Sequence, residues 1–225
     1  MSLRSAIALL AFAVAVPAFA QDTTTDKGKL SYAIGYEIGR DFQERKMEVD
    51  LNTVLRAIQD GYSKKTPAVA EDQMKDSLGK MREKMMAEAK TKFEAVAKEN
   101  KEKSDKFMAE NKTKKGIVVL PSGIQYRVIE EGNGRRPAAN SEVTVHYRGS
   151  MTNGFEFDSS FARNQPATFK VDSVLKGWQE VLPLMKVGDH WQIFLPPDLA
   201  YGLRGQGPIG PNEALVFDIK LVDVK

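Results

Sequence analysis

The chain has no cysteine, so disulfides and thiolate-held metals are closed to it, and stability must come from burial or assembly. Histidine is almost as scarce, at two in 225 residues. His146 and His190 fall on different predicted strands with no carboxylate cluster beside them. No zinc site or catalytic triad can be assembled from them, and Ser159 and Ser160 beside Asp158 do not complete one. His146 alternates with Val145 and Tyr147, which places it on the solvated face of its strand. Charge of one sign is missing as well. With 33 basic and 30 acidic residues the formal charge is +3, too near neutral to favour nucleic acid as a partner.

Long apolar runs are confined to the start. Arg4 precedes an apolar stretch from Ala6 to Val16, followed by Ala18-Phe19-Ala20. The run stops at Pro17, short of the about 20 apolar residues that a spanning helix needs. It reads as a signal peptide over residues 1–20, cleaved after Ala20, and the loss of Arg4 lowers the net charge by one. No cysteine follows, so lipid attachment is not expected.

Proline is nearly absent from Lys27 to Asn111, Pro67 being the exception, and the pattern there is helical. Leu30, Ile34, Ile38 and Phe42 recur every four residues and form one stripe. Ser31, Gly35 and Gly39 form a second row of small residues. Glycine inside a helix costs roughly 1 kcal/mol relative to alanine, so two at this spacing imply close approach of another helix, from the same chain or a second one. Asp50 is an N-cap for a short helix carrying Leu51, Val54, Leu55, Ile58 and Tyr62. A third helix is expected from Glu71 to Asn111, a rod of roughly 60 Å at 1.5 Å per residue. Met74, Leu78, Met81 and Met85 follow a coiled-coil seam, extended less regularly by Ala89, Phe93 and Val96. Beyond Val96 the rod is charged, with Glu94–Lys98, Glu99–Lys103 and Glu102–Lys106 at the favourable spacing, and it reads as a solvated spacer. So thin an apolar content predicts a homodimer through residues 27–96, two chains sharing one core with methionine supplying adaptable contacts.

From Gly116 the period changes to alternation. Ile124, Tyr126 and Val128 share one strand face, and Val143, Val145 and Tyr147 share another. Asn153-Gly154 signals a two-residue hairpin. Phe169 and Val171, then Trp191, Ile193 and Leu195, then Leu215, Phe217, Ile219 and Leu221 mark further strands. Val174 to Met185 is the one helical stretch, shortened or bent at Pro183. The expected class is α+β: an all-helical N-terminal region with a long connecting helix, then a curved antiparallel sheet wrapped on one short helix. The boundaries are 21–70 for the helical dimerisation domain, 71–115 for the connecting helix, 116–138 for a linker and first strand, and 139–225 for the β-domain.

Tyr147-Arg148-Gly149, Phe157-Asp158-Ser159-Ser160, Gly177-Trp178, Ala200-Tyr201-Gly202 and Leu215-Val216-Phe217-Asp218 occur in that order. The segment Ala139 to Lys225 resembles an FKBP-type (tacrolimus-binding) peptidyl-prolyl cis-trans isomerase. KLSYAIGYEIGRDF, QMKDSLGKM and VVLPSGIQYRVIEEGNG extend the resemblance to the macrophage infectivity potentiator branch of that family. The resemblance implies a catalytic group of Asp158, Tyr201 and Tyr147. It also implies a substrate-binding set in which Trp178 is the floor, Phe169 and Phe217 are walls together with Tyr147, and Phe157, Val174, Leu175 and Ile209 complete the lining. Arg163 would hold Asp158 and Tyr147, and the Leu175 backbone N–H would meet the bound peptide. No metal or other cofactor is expected. The implied partners are proline-containing polypeptides, tacrolimus-like macrolides as inhibitors, and a second copy of the chain. Two departures stand out: Ala167 replaces a phenylalanine common after the RN-x-P run, and Leu203 to Pro211 lacks a frequent histidine. Both bear on macrolide affinity more than on activity. The expected function is an exported prolyl isomerase of the periplasm, outer membrane or cell surface that assists folding. The alternatives are a holdase chaperone and a surface infection factor.

Overall fold

The computed structural model describes residues 23–225; the expected signal peptide over 1–20 lies outside them. The described residues divide into two compact units, meeting between Lys75 and Asp76.

In the first unit, Thr25 caps helix α1 (Asp26–Glu44), its hydroxyl accepting the Gly28 N–H at 3.1 Å. Asp50 caps α2 (Leu51–Tyr62), accepting the Thr53 N–H at 2.7 Å. These side chains satisfy N–H groups that a helix leaves orphaned at its start. No described residue of this unit is buried.

Helix α3 spans Glu71–Asn111, 41 residues, and coincides with the expected rod. Its character past Val96 does not. Glu99–Lys103 pairs at 2.6 Å and Lys101–Asp105 joins it at 2.6 Å, yet Ala97, Ser104 and Asn111 are buried. The sequence-based reading as a wholly solvated spacer is therefore corrected: one face of this segment lies on the β-domain, with Phe107 against Phe194 at 6.0 Å.

The sheet has seven strands: β1 (Val118–Val119), β2 (Gln125–Glu130), β3 (Glu142–Met151), β4 (Glu156–Ser159), β5 (Ala167–Lys170), β6 (His190–Leu195) and β7 (Leu215–Val224). The order is β1-β2-β6-β7-β3-β4, with β5 paired to β3, and every pairing is antiparallel. Alternation puts Val143, Val145, Tyr147, Ile193, Leu195, Leu215, Phe217, Ile219 and Leu221 into one core, as a strand's period of two requires. Across that face lies α4 (Lys176–Val181). It is shorter than the twelve residues of the apolar stretch because Pro183 has no N–H to give, and the chain passes into a 3₁₀ turn, Leu182–Leu184. Gly177 lets α4 come close: a Cβ there would meet Leu195 Cδ2 at 2.5 Å. The Asn153-Gly154 hairpin is also longer than two residues. The Met151 N–H bonds the Phe155 carbonyl at 2.9 Å, and Gly154 takes φ +89°, so the loop has three residues and ends on a left-handed glycine.

Candidate active site

Trp178 is seated by the approach of α4 to β6 and is 3% exposed. Three rings meet it edge-on: Tyr147 at 5.5 Å, Phe169 at 6.1 Å and Phe217 at 5.3 Å. Such edge-to-face contacts are favoured by the ring quadrupoles. With Trp178 as floor the rings form three walls of a hollow of about 420 Å³ that is also lined by Phe157, Asp158, Ser173, Val174, Leu175 and Tyr201. Tyr147 comes from β3, Phe157 and Asp158 from β4, Phe169 from β5 and Phe217 from β7. Val174 and Leu175 enter from the turn before α4, where the Gln179 side chain donates to the Val174 carbonyl at 2.8 Å and fixes that turn.

Gly149 makes the Phe157 wall possible. A Cβ on it would lie 2.6 Å from Phe157 Cε2 and 2.7 Å from Phe217 Cε1, so only a bare backbone lets the two rings close on each other at 5.8 Å.

The polar edge of the hollow is one network. The Tyr147 hydroxyl donates a short hydrogen bond to Asp158 Oδ2. Arg163 donates to Asp158 Oδ1 at 2.5 Å and to the Tyr147 hydroxyl at 3.1 Å. Burial pushes the Asp158 carboxyl up, but the bonds from Tyr147 and Arg163 outweigh it, so the group sits below its ordinary value and stays charged. Burial first, then the bond to Asp158, raises the Tyr147 phenol; burial and the Asp158 charge raise that of Tyr201. Both therefore remain O–H donors at neutral pH.

Of the residues singled out from the sequence, Tyr147, Phe157, Asp158, Phe169, Val174, Leu175, Trp178, Tyr201 and Phe217 line the hollow. Arg163 stands behind the edge, where it grips Asp158 and Tyr147. Ile209 is not in the lining; it is 5% exposed and part of the β-domain core. Ser173 was missed, although it adjoins Val174. His146 is half-buried rather than solvated, stacked on Phe161 at 4.9 Å with Nδ1 3.2 Å from the Ser160 hydroxyl. Among the described residues no cluster of three or more metal-ligating side chains occurs.

Residues 133–222 match the model of the FKBP-type peptidyl-prolyl cis-trans isomerases, and residues 27–128 match that of the domain amino terminal to FKBP-type peptidyl-prolyl isomerase. The chain is 45% identical to the outer membrane protein MIP of Legionella longbeachae, over 98% of this chain and 96% of that protein. It is 43% identical to the peptidyl-prolyl cis-trans isomerase Mip of Coxiella burnetii, over 89% and 88%. Among solved structures, FkpA from Escherichia coli superposes with a TM-score of 0.69 at 31% identity, covering 90% of this chain and 98% of that one.

Proposed function

For a chain that belongs to the FKBP-type peptidyl-prolyl cis-trans isomerases of the Mip kind, we propose that catalysis proceeds by desolvation of an X-Pro bond over Trp178, without a nucleophile. Rotation about a peptide bond is opposed by a barrier of about 18–20 kcal/mol from amide resonance. Resonance puts negative charge on the carbonyl oxygen, where water stabilises it. A prolyl ring seated among Trp178, Phe169, Phe217 and Phe157 loses that water, and the twisted amide, with less charge separation, is favoured relative to the planar one. No bond is made or broken and no proton has to leave. Tyr201 and the Leu175 N–H are the donors to the bound chain. Asp158, held charged by Tyr147 and Arg163, faces its polar side.

The observation that carries this reading is the convergence of the ring residues and Asp158 on one hollow. It is tested by isomerisation of a proline peptide with Asp158→Ala and Trp178→Ala. Asp158→Ala is expected to lower the rate without abolishing it, and Trp178→Ala to weaken binding of a tacrolimus-like macrolide. Unchanged values for both would remove the site from this hollow.

The helical unit is read as a dimerisation domain, and residues 27–96 as its interface. Leu30, Ile34 and Tyr36 on α1 are 63%, 54% and 60% exposed, more apolar surface than a lone soluble chain tolerates. Among the described residues nothing lies within 4 Å of where a Cβ on Gly35 or Gly39 would be, so their small size answers no described neighbour and suits a partner helix. The mature protein is read as exported, acting on proline bonds in folding polypeptides. The same exposed face gives the holdase reading its support, since two β-domains on one dimer would hold apolar segments by avidity.

A further inference from the structure

The polar face of α3 ends in an arrangement that the isomerase reading leaves unused. Ala97, Ser104 and Asn111 are buried at spacings of seven, and the polar groups along that seam are answered from the β-domain. Six hydrogen bonds join them, and four go to one short segment. Asn100 Nδ2 donates to the Pro211 carbonyl at 2.9 Å. The Ser104 hydroxyl donates to the Asn212 carbonyl at 2.9 Å and accepts the Ala214 N–H at 2.7 Å. Asn212 Nδ2 returns a bond to the Ala97 carbonyl at 3.1 Å. The other two bonds join Gln125 to Asn111 and to the Met108 carbonyl, away from this segment.

The clamped segment is the far end of the loop that begins at Tyr201. The Asn212 N–H bonds the Gly202 carbonyl at 2.8 Å, closing the loop onto the residue that follows Tyr201. Asn212 holds φ +56° to do so, a conformation that a non-glycine residue keeps only where its surroundings fix it. Between the two ends, Gln206 and Ile209 exchange backbone bonds at 2.9 Å each and Ile209 anchors in the core. Ser104 is 1% exposed, so water cannot replace its hydroxyl for the Ala214 N–H, and removing it strands a buried donor. We infer that Ser104, assisted by Asn100, is a positioning residue for the isomerase: α3 fixes loop 202–214 and thereby Tyr201 in the wall of the hollow. Placement of a donor matters to rate because small displacements of a positioning group are felt steeply.

The inference rests on the prolyl-isomerase reading of the hollow, and one experiment separates the two. The full chain is assayed on a proline peptide as wild type, Ser104→Ala, Asn100→Ala and Asn111→Ala, with helix content and thermal unfolding followed in parallel. Asn111→Ala removes a buried bond from the same seam but on the Gln125 side, away from the loop, so it reports loss of docking alone. Ser104→Ala is expected to lower kcat/KM roughly fivefold, carried by kcat with KM nearly constant, as loss of a transition-state interaction requires. Asn100→Ala, half-exposed on a helix and favourable to it, is expected to give about a twofold to threefold loss in the same sense. Asn111→Ala should keep the wild-type kcat. Equal losses in all three, or wild-type kcat in both Ser104→Ala and Asn100→Ala, would overturn the positioning role. An inactive wild type would instead overturn the assignment of the hollow.

Discussion

Replacing Gly149 by alanine tests the hollow through its backbone rather than through any group that meets substrate. The new methyl would sit 2.6 Å from Phe157 Cε2 and 2.7 Å from Phe217 Cε1, about 1 Å inside ordinary carbon contact. The strand cannot yield, because Gly149 is paired with Asp158 of β4 on one side and with Phe217 of β7 on the other. Phe217 is 3% exposed and backed by Trp178 at 5.3 Å, so the half-exposed Phe157 ring must give way, and it lines the hollow. Overpacking of this kind costs about 1–3 kcal/mol. For a unit of this size each kcal/mol lowers the thermal midpoint by roughly 2–4 °C. If a bound prolyl ring must push Phe157 back, the same strain returns as a loss in kcat/KM of roughly fivefold to 150-fold, at 1.36 kcal/mol per factor of ten. The assay is proline-peptide isomerisation in the cold, where uncatalysed rotation is slow, alongside calorimetric unfolding. A variant with wild-type kcat/KM and an unshifted midpoint would refute the claim that this glycine exists to let the two rings meet.

The charge on Asp158 sets an acid limit. Its folded-state value lies below the unfolded one, so its contribution to stability is complete above the ordinary carboxylate range and is lost as pH falls through the depressed value. The kcat/KM profile should therefore stay level from neutrality down to about pH 4, the ordinary aspartate value; an acid limb centred near neutrality would contradict the network. Asp158→Asn should remove the acid limb and lower the plateau several-fold, because the amide does not titrate and cannot accept from both Tyr147 and Arg163 as a carboxylate does. In the helical unit, Ile34→Glu places a charge on the exposed stripe and should shift the full chain from dimer to monomer in sedimentation. A wild type that already sediments as a monomer at micromolar concentration would defeat the assembly reading. Amino-terminal sequencing of secreted or periplasmic material is expected to begin at Gln21.

The elements that the sequence locates well are those set by neighbours in the chain. Asp50, the run from Glu71 to Asn111 and the alternation in β3, β6 and β7 are local patterns, and the structure keeps their bounds and faces. Pro183 shortens α4 for an equally local reason. The aromatic residues of the hollow, by contrast, carry no periodic signal that brings them together. Tyr147 lies opposite Ile219, and Phe217 opposite Gly149, in the β3–β7 ladder, and Trp178 reaches both rings because α4 comes close to Leu195 at Gly177. The resemblance to a known family supplied that convergence, and it carried Ile209 into the lining although the loop turns it into the core. Ser173 and Gln179 escaped because neither is aromatic or charged, yet one lines the hollow and the other ties down its turn.

The seam between α3 and the β-domain was the least legible part, and chemistry explains why. Ser104 and Asn111 are polar residues in a helix rich in lysine and glutamate, where a solvated face is the ordinary outcome. Their burial depends on acceptors and donors more than 100 residues away for Ser104, at Asn212 and Ala214. An apolar seam of equal area would tolerate sliding, since dispersion and desolvation have little direction. A hydrogen-bonded one does not: moving α3 by one turn would leave Ser104 and the Ala214 N–H without partners in a dry contact. The polar identity of the seam thus specifies one register of helix against loop, and the loop so specified is the one that carries Tyr201.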